Sequence, residues 1–285
     1  MSGKILVTGA TGNIGSGLVP ALRSAGVEVR AFVRDEAKAQ PLKDAGAEVI
    51  VGDLDKPETI NAAVEGVEKI FLLTFNGPTE AQQGLNVIEA AKQVGSPHVV
   101  RLSGWGSEKS RIVKNQQEIH KALKSSGLSW TIVQPTFFMQ NIMMAAQTIT
   151  SDGNMYWPMK DGKVAMIDVR DVVDASLAVL TGSGHEGKTY ILTGPAAIAF
   201  HDVAGTLTKI LGNNVNYVSV PGEAAKESMV GMGVPEWIAM GYVEMFEGFG
   251  EGFAENVQDG MIALTGKPGR SFEQFANDFK QVFSG

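Results

Sequence analysis

Cysteine is absent from the 285 residues of this chain. Disulfide bonds, thiolate metal sites and cysteine nucleophiles are therefore excluded, and cysteine usage gives no information on the redox compartment. The four histidines, at positions 98, 120, 185 and 201, have none of the spacings with one another that zinc sites use. The sequence therefore predicts no metal site and argues against a metallohydrolase.

Clustered positive charge and long apolar runs are also lacking. The chain has 24 Lys and Arg against 31 Asp and Glu, a formal net charge of −7, and its basic residues are scattered. Nucleic-acid binding needs clustered Lys and Arg, so no nucleic-acid partner is expected. No apolar stretch approaches the length of a membrane span, and the first residues lack the pattern of a signal peptide. We expect a cytoplasmic protein with no membrane partner.

A linker rich in Pro, Ser or charge is likewise lacking, so nothing in the sequence divides the chain. The hydrophobic fraction of 44% is that of an ordinary globular protein with a substantial core. We expect a single domain over residues 1–285, in which residues 1–134 form the core and residues 135–285 contribute a smaller lobe.

Short β-branched runs alternate with helical periodicity up to about residue 134. The predicted strands cover residues 4–8, 27–33, 47–51, 67–73, 97–102 and 129–134. The predicted helices between them cover residues 13–25, 35–45, 57–64, 79–95 and 110–126. Strands that alternate with helices in this way predict an α/β fold with a doubly wound parallel sheet.

The pattern beyond residue 135 is richer in aromatic residues and Met, with further strands predicted near 163–167, 188–193 and 215–219. Asp168 to Asp171 place acidic residues at the start of a predicted helix. Regularly spaced phenylalanines between Ser271 and Phe283 predict an amphipathic helix. We expect its aromatic face to pack in the core, with a homodimer interface as the alternative.

Three glycines, Gly9, Gly12 and Gly15, follow the first predicted strand and precede the first predicted helix. In a dinucleotide fingerprint, the first glycine permits a tight turn, the second lets the backbone approach a pyrophosphate, and the third lets the helix pack on the sheet. Free N–H groups at the helix start would face the phosphates. The sequence therefore predicts a Rossmann-type nucleotide-binding core, with cofactor contacts from Gly9, Thr11, Gly12, Asn13 and Ile14.

The second predicted strand ends in Arg34, where an NAD site would carry Asp or Glu for the ribose hydroxyls. A guanidinium fork suits the 2′-phosphate of NADP. We therefore predict NADPH as the cofactor. Asp35 keeps open the alternative that Arg34 only begins a solvated helix.

The glycine spacing, with Thr8 and Thr11 beside it, resembles the extended and atypical branches of the short-chain dehydrogenase/reductase superfamily. Over most of its length the chain resembles the NmrA-like atypical branch, through Arg34, Gly52-Asp53, Ser103-Gly104, the Ser126-Gly127 turn and the run from Asp168 to Asp171. That branch includes NADPH-dependent quinone reductases, triphenylmethane dye reductases, isoflavone-type reductases and cofactor-sensing regulators without catalysis.

The resemblance implies further cofactor contacts. Asp53 and Leu54 correspond to the turn that contacts the adenine, although Asp53 could instead cap the helix that starts near Pro57. The loop after the fourth strand would follow the riboses. The remaining predicted cofactor residues are Thr74, Phe75, Asn76, Ser103 and Pro135.

The Tyr-x-x-x-Lys pair of most short-chain dehydrogenases has no match on the predicted helix 110–126, which lacks tyrosine. Tyr156 and Lys160 have the right spacing, but Pro158 between them forbids a regular helix. We therefore expect that Tyr156 and Lys160 are not the catalytic pair.

Three residues are the catalytic candidates instead. Gln116 stands where dye and quinone reductases often carry His, and it cannot act as an acid at neutral pH. His120 lies one turn later on the same helix face and titrates near neutrality if unperturbed, so it is predicted to assist proton transfer; a packing histidine is the alternative. Ser103 matches the substrate-orienting serine of the superfamily, or it caps the following turn.

A hydride acceptor that becomes a stabilised anion needs no strong protein acid. The sequence is therefore interpreted as an NADPH-dependent reductase of a quinone or polycyclic aromatic substrate; the alternative is an NADP(H) sensor without catalysis. The predicted substrate contacts are Trp105, Phe137, Phe138, Met139 and Trp157, since aromatic and thioether groups suit a flat ligand. Glycines between Met229 and Phe253 suggest a mobile lid.

Overall fold

The computed structural model describes residues 3–284. The strands are β1 (Lys4–Val7), β2 (Val29–Val33), β3 (Glu48–Val51), β4 (Val67–Leu72), β5 (His98–Leu102), β6 (Trp130–Pro135), β7 (Asn154–Trp157), β8 (Lys163–Val164), β9 (Lys188–Leu192), β10 (Ile198–Ala199) and β11 (Asn216–Ser219).

Twelve α-helices lie within the same described residues. They are α1 (Gly15–Ser24), α2 (Gln40–Asp44), α3 (Pro57–Val64), α4 (Glu80–Gln93), α5 (Arg111–Ser125), α6 (Ala146–Asp152), α7 (Val169–Thr181), α8 (Phe200–Leu211), α9 (Gly222–Gly231), α10 (Glu236–Gly250), α11 (Gly260–Thr265) and α12 (Phe272–Asp278). Three 3₁₀ segments cover Glu36–Lys38, Met139–Ala145 and Lys280–Phe283. None of the helices in residues 3–284 combines the length and apolarity needed to cross a bilayer.

A seven-stranded sheet in the order β3-β2-β1-β4-β5-β6-β9 organises the fold. Val7 of β1 lies opposite Ala31 of β2 on one side and Phe71 of β4 on the other, all in parallel register. The predicted doubly wound parallel sheet is confirmed. The strand order reverses at β1, and in such sheets ligands bind beyond the carboxyl ends of the strands at this point.

Burial explains the composition of these elements. β5 is buried along its whole length, as is usual for a central parallel strand covered on both faces. The predicted helix 35–45 is instead a 3₁₀ turn followed by α2, because Asp35 caps the first and Pro41 lies in the first turn of the second. α1 continues through Pro20 and buries Leu18, Val19 and Leu22.

The chain divides into two compact units, each built from several segments. The first contains residues up to 104, 115–134 and 172–190; the second contains 105–114, 135–171 and the chain from 191 onward. In the second unit β7 pairs with β11 in parallel and β8 with β10 antiparallel. Its core contains the predicted aromatic face of the C-terminal tail, with Phe272, Phe275 and Phe283 buried as expected.

Two of the glycines between Met229 and Phe253 have a packing role in the second unit. A Cβ at Gly241 would lie 2.7 Å from Ile112, and one at Gly248 would lie 2.7 Å from the Cβ of Ser107. Close approach of α10 to the segment 105–114 thus explains Gly241 and Gly248, whereas a Cβ at Gly231 or Gly233 would meet nothing within 4 Å. A mobile lid stays a prediction for the latter two.

Candidate functional site

The glycine run forms a tight turn between β1 and α1. Gly9 has a φ of +62°, a conformation that favours glycine, and the Gly12 N–H donates to the Gly9 carbonyl at 3.0 Å. A Cβ at Gly15 would lie 2.6 Å from the Cα of Ala10, so only glycine fits there. Apart from adjacent residues, the one described atom that a Cβ at Gly12 would meet within 4 Å is the Gly9 carbonyl oxygen, at 3.3 Å. Gly12 therefore presents open backbone, as close approach of a ligand requires.

The start of α1 offers unused donors next to that turn. Thr11, Gly12 and Asn13 are exposed, whereas Ile14 is buried. Within residues 3–284, no protein acceptor bonds the backbone N–H groups of Asn13 and Ile14, and the first turn of α1 carries no acidic side chain. Free N–H groups and the positive end of the helix dipole favour an anion here.

Arg34 and Phe75, both predicted cofactor contacts, meet in the structure. The Arg34 guanidinium carbon lies 5.0 Å from the centre of the Phe75 ring, and Phe75 is 58% exposed. Across the part of the chain that the structure describes, no carboxylate pairs with Arg34. Asp35 instead accepts a hydrogen bond from the Ala37 N–H at 3.0 Å. The neighbouring acid thus has a local structural role, and the fork of Arg34 is free.

Asp53 and Leu54 lie in the turn after β3. The Asp53 carboxylate accepts from the Asp55 N–H at 3.1 Å, whereas Lys56 stands at the N-cap of α3 without a side-chain bond. The alternative that Asp53 caps this helix is therefore wrong, because its carboxylate closes a local turn three residues earlier. The Leu54 carbonyl accepts from Asn86 at 2.8 Å, which holds the turn in place.

Gln83 on α4 links this turn to the loop that carries Phe75. Its side-chain oxygen accepts from the Phe75 N–H at 3.1 Å, and its nitrogen donates to Asp55 at 3.0 Å. Gln83 was not predictable from the sequence, since a glutamine on a helix belongs to no motif. Asn76, predicted to contact the cofactor, is partly buried in the same loop.

Thr74 contacts a buried ion pair, Glu80–Arg101, which no sequence motif predicts. Its hydroxyl donates to Glu80 Oε1 at 2.8 Å, and Arg101 Nη2 donates to the same oxygen at 3.0 Å. Burial raises the pKa of Glu80 and lowers that of Arg101, while the attraction between the two opposes both changes. Because the Thr74 hydroxyl is bound to Glu80, Thr74 acts here as a support for the loop.

Ser103 and His120 are joined by a hydrogen bond. Ser103 Oγ lies 3.0 Å from His120 Nε2, just beyond the carboxyl end of β5. Burial, reinforced by the positive charges of Arg101 and Lys124, lowers the pKa of His120 to about 3. His120 is therefore not in the unperturbed state in which it would titrate near neutrality, and at pH 7 its imidazole is neutral. Ser103 does not simply cap a turn, because its side chain bonds to His120.

Gln116 holds the backbone beside this pair. It is buried, and its side-chain oxygen accepts from the Gly104 N–H at 3.0 Å. Gln134 donates to the Gly104 carbonyl at 3.2 Å. Gln116 and Gln134 thus fix the chain directly after Ser103, so Gln116 fits an orienting role better than proton transfer.

The predicted substrate residues lie in the second unit and differ in access. Phe137, Met139 and Trp157 are at most 7% exposed and belong to its aromatic core. Their faces are occupied by protein contacts, so their role in substrate binding stays a prediction. Trp105 and Phe138 are partly exposed.

Two local contacts involve Trp105, and one of them is made by Pro135, a predicted cofactor contact. Trp105 lies 5.1 Å, centre to centre, from the ring of Phe253. Pro135 is buried, and its carbonyl accepts from the Trp105 N–H at 2.8 Å. Trp105 and Phe253 thus form an accessible aromatic pair in the second unit.

Tyr156 is arranged unlike a catalytic tyrosine. Its hydroxyl donates to Asp152 at 3.0 Å, and this bond raises its pKa, whereas a general acid next to a lysine has a lowered pKa. The structure therefore gives no support to Tyr156 and Lys160 as a catalytic pair.

Comparisons with known proteins extend over nearly the whole chain. A family model described as the NmrA-like family matches residues 1–266. An NAD(P)H azoreductase from Xenophilus azovorans is 39% identical over 286 residues, which cover 98% of this chain and 99% of that protein.

Two solved structures have closely similar folds. The NADPH complex of an NADPH-dependent quinone oxidoreductase from Escherichia coli has a TM-score of 0.88 and 27% identity, and the match covers 97% of this chain and 99% of that one. The NADP(H) complex of a Citrobacter sp. triphenylmethane reductase has a TM-score of 0.84 and 28% identity, and the match covers 98% of this chain and 99% of that one.

Proposed function

Because this chain belongs to the NmrA-like family, we propose that it is an NADPH-dependent reductase that transfers a hydride to a quinone or polycyclic aromatic substrate. The observation that carries the proposal is the open glycine turn with free N–H groups, together with the unpaired fork of Arg34. The full-length likeness to an NAD(P)H azoreductase and to NADPH-bound structures supports it.

The residues present fit NADPH. The space at Gly12 is one that a Cβ would begin to fill, and the N–H groups of Asn13 and Ile14 suit the pyrophosphate. Arg34 suits the 2′-phosphate, with Phe75 as a flat apolar surface beside it. Asp53 retains a carboxylate oxygen for the adenine amine. A carboxylate in place of Arg34 would have favoured NAD instead.

The chain's own residues provide orientation and little acidity. When bound, NADPH supplies the hydride, which carries both electrons of the reduction. Ser103 offers a hydroxyl beyond the carboxyl end of β5, and His120 and Gln116 hold that region in place. Since the His120 imidazole is neutral at pH 7, the site suits acceptors whose reduced form is stabilised by conjugation. Quinones and extended aromatic dyes have this property.

The second unit carries partly exposed aromatic side chains. Trp105 and Phe253 lie in contact and are partly exposed, with Phe138 also accessible. Aromatic faces stack favourably on planar ligands and contribute about 0.5–1.5 kcal/mol per ring pair beyond area burial. We propose Trp105 and Phe138 as substrate contacts.

The test is NADPH oxidation with a panel of quinones, azo dyes and triphenylmethane dyes. We expect steady turnover with at least one class and a preference for NADPH over NADH. Gly12→Val is the negative control, because a side chain there blocks the approach of the pyrophosphate to the backbone. Tight NADPH binding with no turnover on any acceptor would contradict a reductase and favour the cofactor-sensing alternative.

A further inference from the structure

His120 connects Ser103 with the outer face of α5. A groove of about 370 Å³ opens there to solvent, and we call it the α5 groove; its lining residues are Gln117, His120, Lys121, Lys124 and Ser125. One ring nitrogen of His120, Nε2, is bonded to Ser103 Oγ at 3.0 Å. Nothing in the described range 3–284 hydrogen-bonds the other nitrogen, Nδ1. The ring therefore has one end on Ser103 and another end available to solvent in the groove.

We propose that Ser103 and His120 form a proton relay that carries a proton from the α5 groove to the reduced substrate. This inference rests on the reductase function proposed above and extends it, because it names the source of the proton that hydride transfer leaves to be added. Ser103 is the residue that touches the substrate, and His120 acts through Ser103.

The positive charges around His120 disfavour its doubly protonated form and leave the neutral ring, which a proton relay requires. Arg101 faces it from β5, and Lys121 and Lys124 lie on its own helix. Glu80 on the neighbouring α4 is engaged by Arg101 and Thr74. In these positive surroundings an imidazolium is disfavoured, but a neutral imidazole can take a proton on one nitrogen while releasing one from the other.

The proton steps balance. With a quinone, the hydride brings both electrons and leaves an oxyanion on the acceptor. The O–H bond of Ser103 breaks as an O–H bond forms on that oxyanion, and the serine oxygen takes the proton from Nε2 of His120. Nδ1 then takes one proton from water in the α5 groove. The net result is that one solvent proton is consumed for each hydroquinone formed.

The decisive variant is His120→Gln, whose amide can still bond Ser103 but cannot exchange protons between two nitrogens. We would measure kcat across quinones whose reduced oxyanions differ in basicity. The kcat of the variant should equal that of the parent with quinones whose reduced oxyanions are weakly basic. It should be lower by about tenfold or more with quinones whose reduced oxyanions are strongly basic, while KM changes little. His185→Gln is the matched control, since His185 is also bonded to a hydroxyl, that of Tyr190 at 3.0 Å.

Chemical rescue separates a relay from a structural role. Added imidazole should restore turnover of His120→Ala with basic acceptors, because the vacated ring space adjoins the α5 groove. It should not restore Ser103→Ala. An equal loss of kcat on every quinone in His120→Gln, or no rescue of His120→Ala by imidazole, would assign His120 a structural role and overturn the relay.

A measurement independent of turnover is ¹⁵N NMR of the histidine rings in the protein without substrate. We expect His120 to remain neutral from pH 8 to pH 5, and an imidazolium signal at pH 6 would overturn the relay. A parent protein that binds NADPH but reduces no acceptor would overturn the proposed function together with the relay. A parent that turns over, with His120→Gln unchanged on all quinones, would overturn the relay alone.

Discussion

Arg34 is the exposed side chain that we propose decides between NADPH and NADH. Its fork has no carboxylate partner among the described residues and rests against the ring of Phe75, so its donors are held in place but unused. Asp35, directly after it, is engaged in a local cap. A cation without a competing acid is the condition that a 2′-phosphate site requires.

Replacement of Arg34 by Ala should weaken NADPH binding by about ten- to hundredfold, because charge-assisted hydrogen bonds contribute roughly 1.5–3 kcal/mol. NADH binding should change little. Dissociation constants from fluorescence titration of both nucleotides test this, with Lys38→Ala, another exposed cation of the same segment, as the control. Equal affinities for NADH and NADPH in the parent protein would refute the assignment.

His120 should make stability depend on pH. Its pKa falls from 6.5 to about 3 on folding, so between these values the unfolded chain binds a proton that the folded chain does not. The free energy of unfolding should therefore decrease as the pH falls below about 6.5. Urea denaturation from pH 7 to pH 4 should show a steeper decrease for the parent than for His120→Gln, and parallel curves would argue against a buried neutral imidazole.

The Glu80–Arg101 pair joins α4 to β5. Both side chains are 1% exposed, and Glu80 also accepts from Thr74 in the loop after β4. By contrast, Glu89 on the same helix forms an exposed pair with Lys92. These two pairs let buried and exposed charge interactions be compared within one element.

Glu80→Ala should lower the free energy of unfolding by about 3–5 kcal/mol, because it leaves Arg101 buried without its counter-charge. Glu89→Ala should cost about 0–1 kcal/mol, since solvent screens an exposed pair. Urea denaturation of both variants at pH 7 provides the measurement. Equal losses would show that the buried pair has no special part in holding β5 and its following residues in place.

At the scale of the whole molecule, the sheet order reverses at β1, with β2 on one side and β4 on the other. The turns that follow β1, β2 and β4 carry the glycine run, Arg34 and Phe75. Because all these strands are parallel, their carboxyl ends share one edge of the sheet. Topology thus collects residues that are far apart in sequence at the edge of the sheet where we propose that the cofactor binds.

The sequence by itself determined six strands of the parallel sheet and the class of cofactor site. Alternating apolar runs place six strands within two residues of their observed ends, because side-chain periodicity is a local property. The glycine run and Arg34 are also predictable from the sequence, since φ at Gly9, packing at Gly15 and the charge of Arg34 depend on few neighbours.

Only the tertiary structure decided the chemistry around His120. Its pKa depends on burial and on Arg101, nineteen positions earlier, and its partner Ser103 lies seventeen positions away on another element. The Glu80–Arg101 pair and the link made by Gln83 likewise have no sequence motif. Periodicity reports which side of an element is buried, but the partner of a buried polar group is chosen by three-dimensional packing, which desolvates both groups at once.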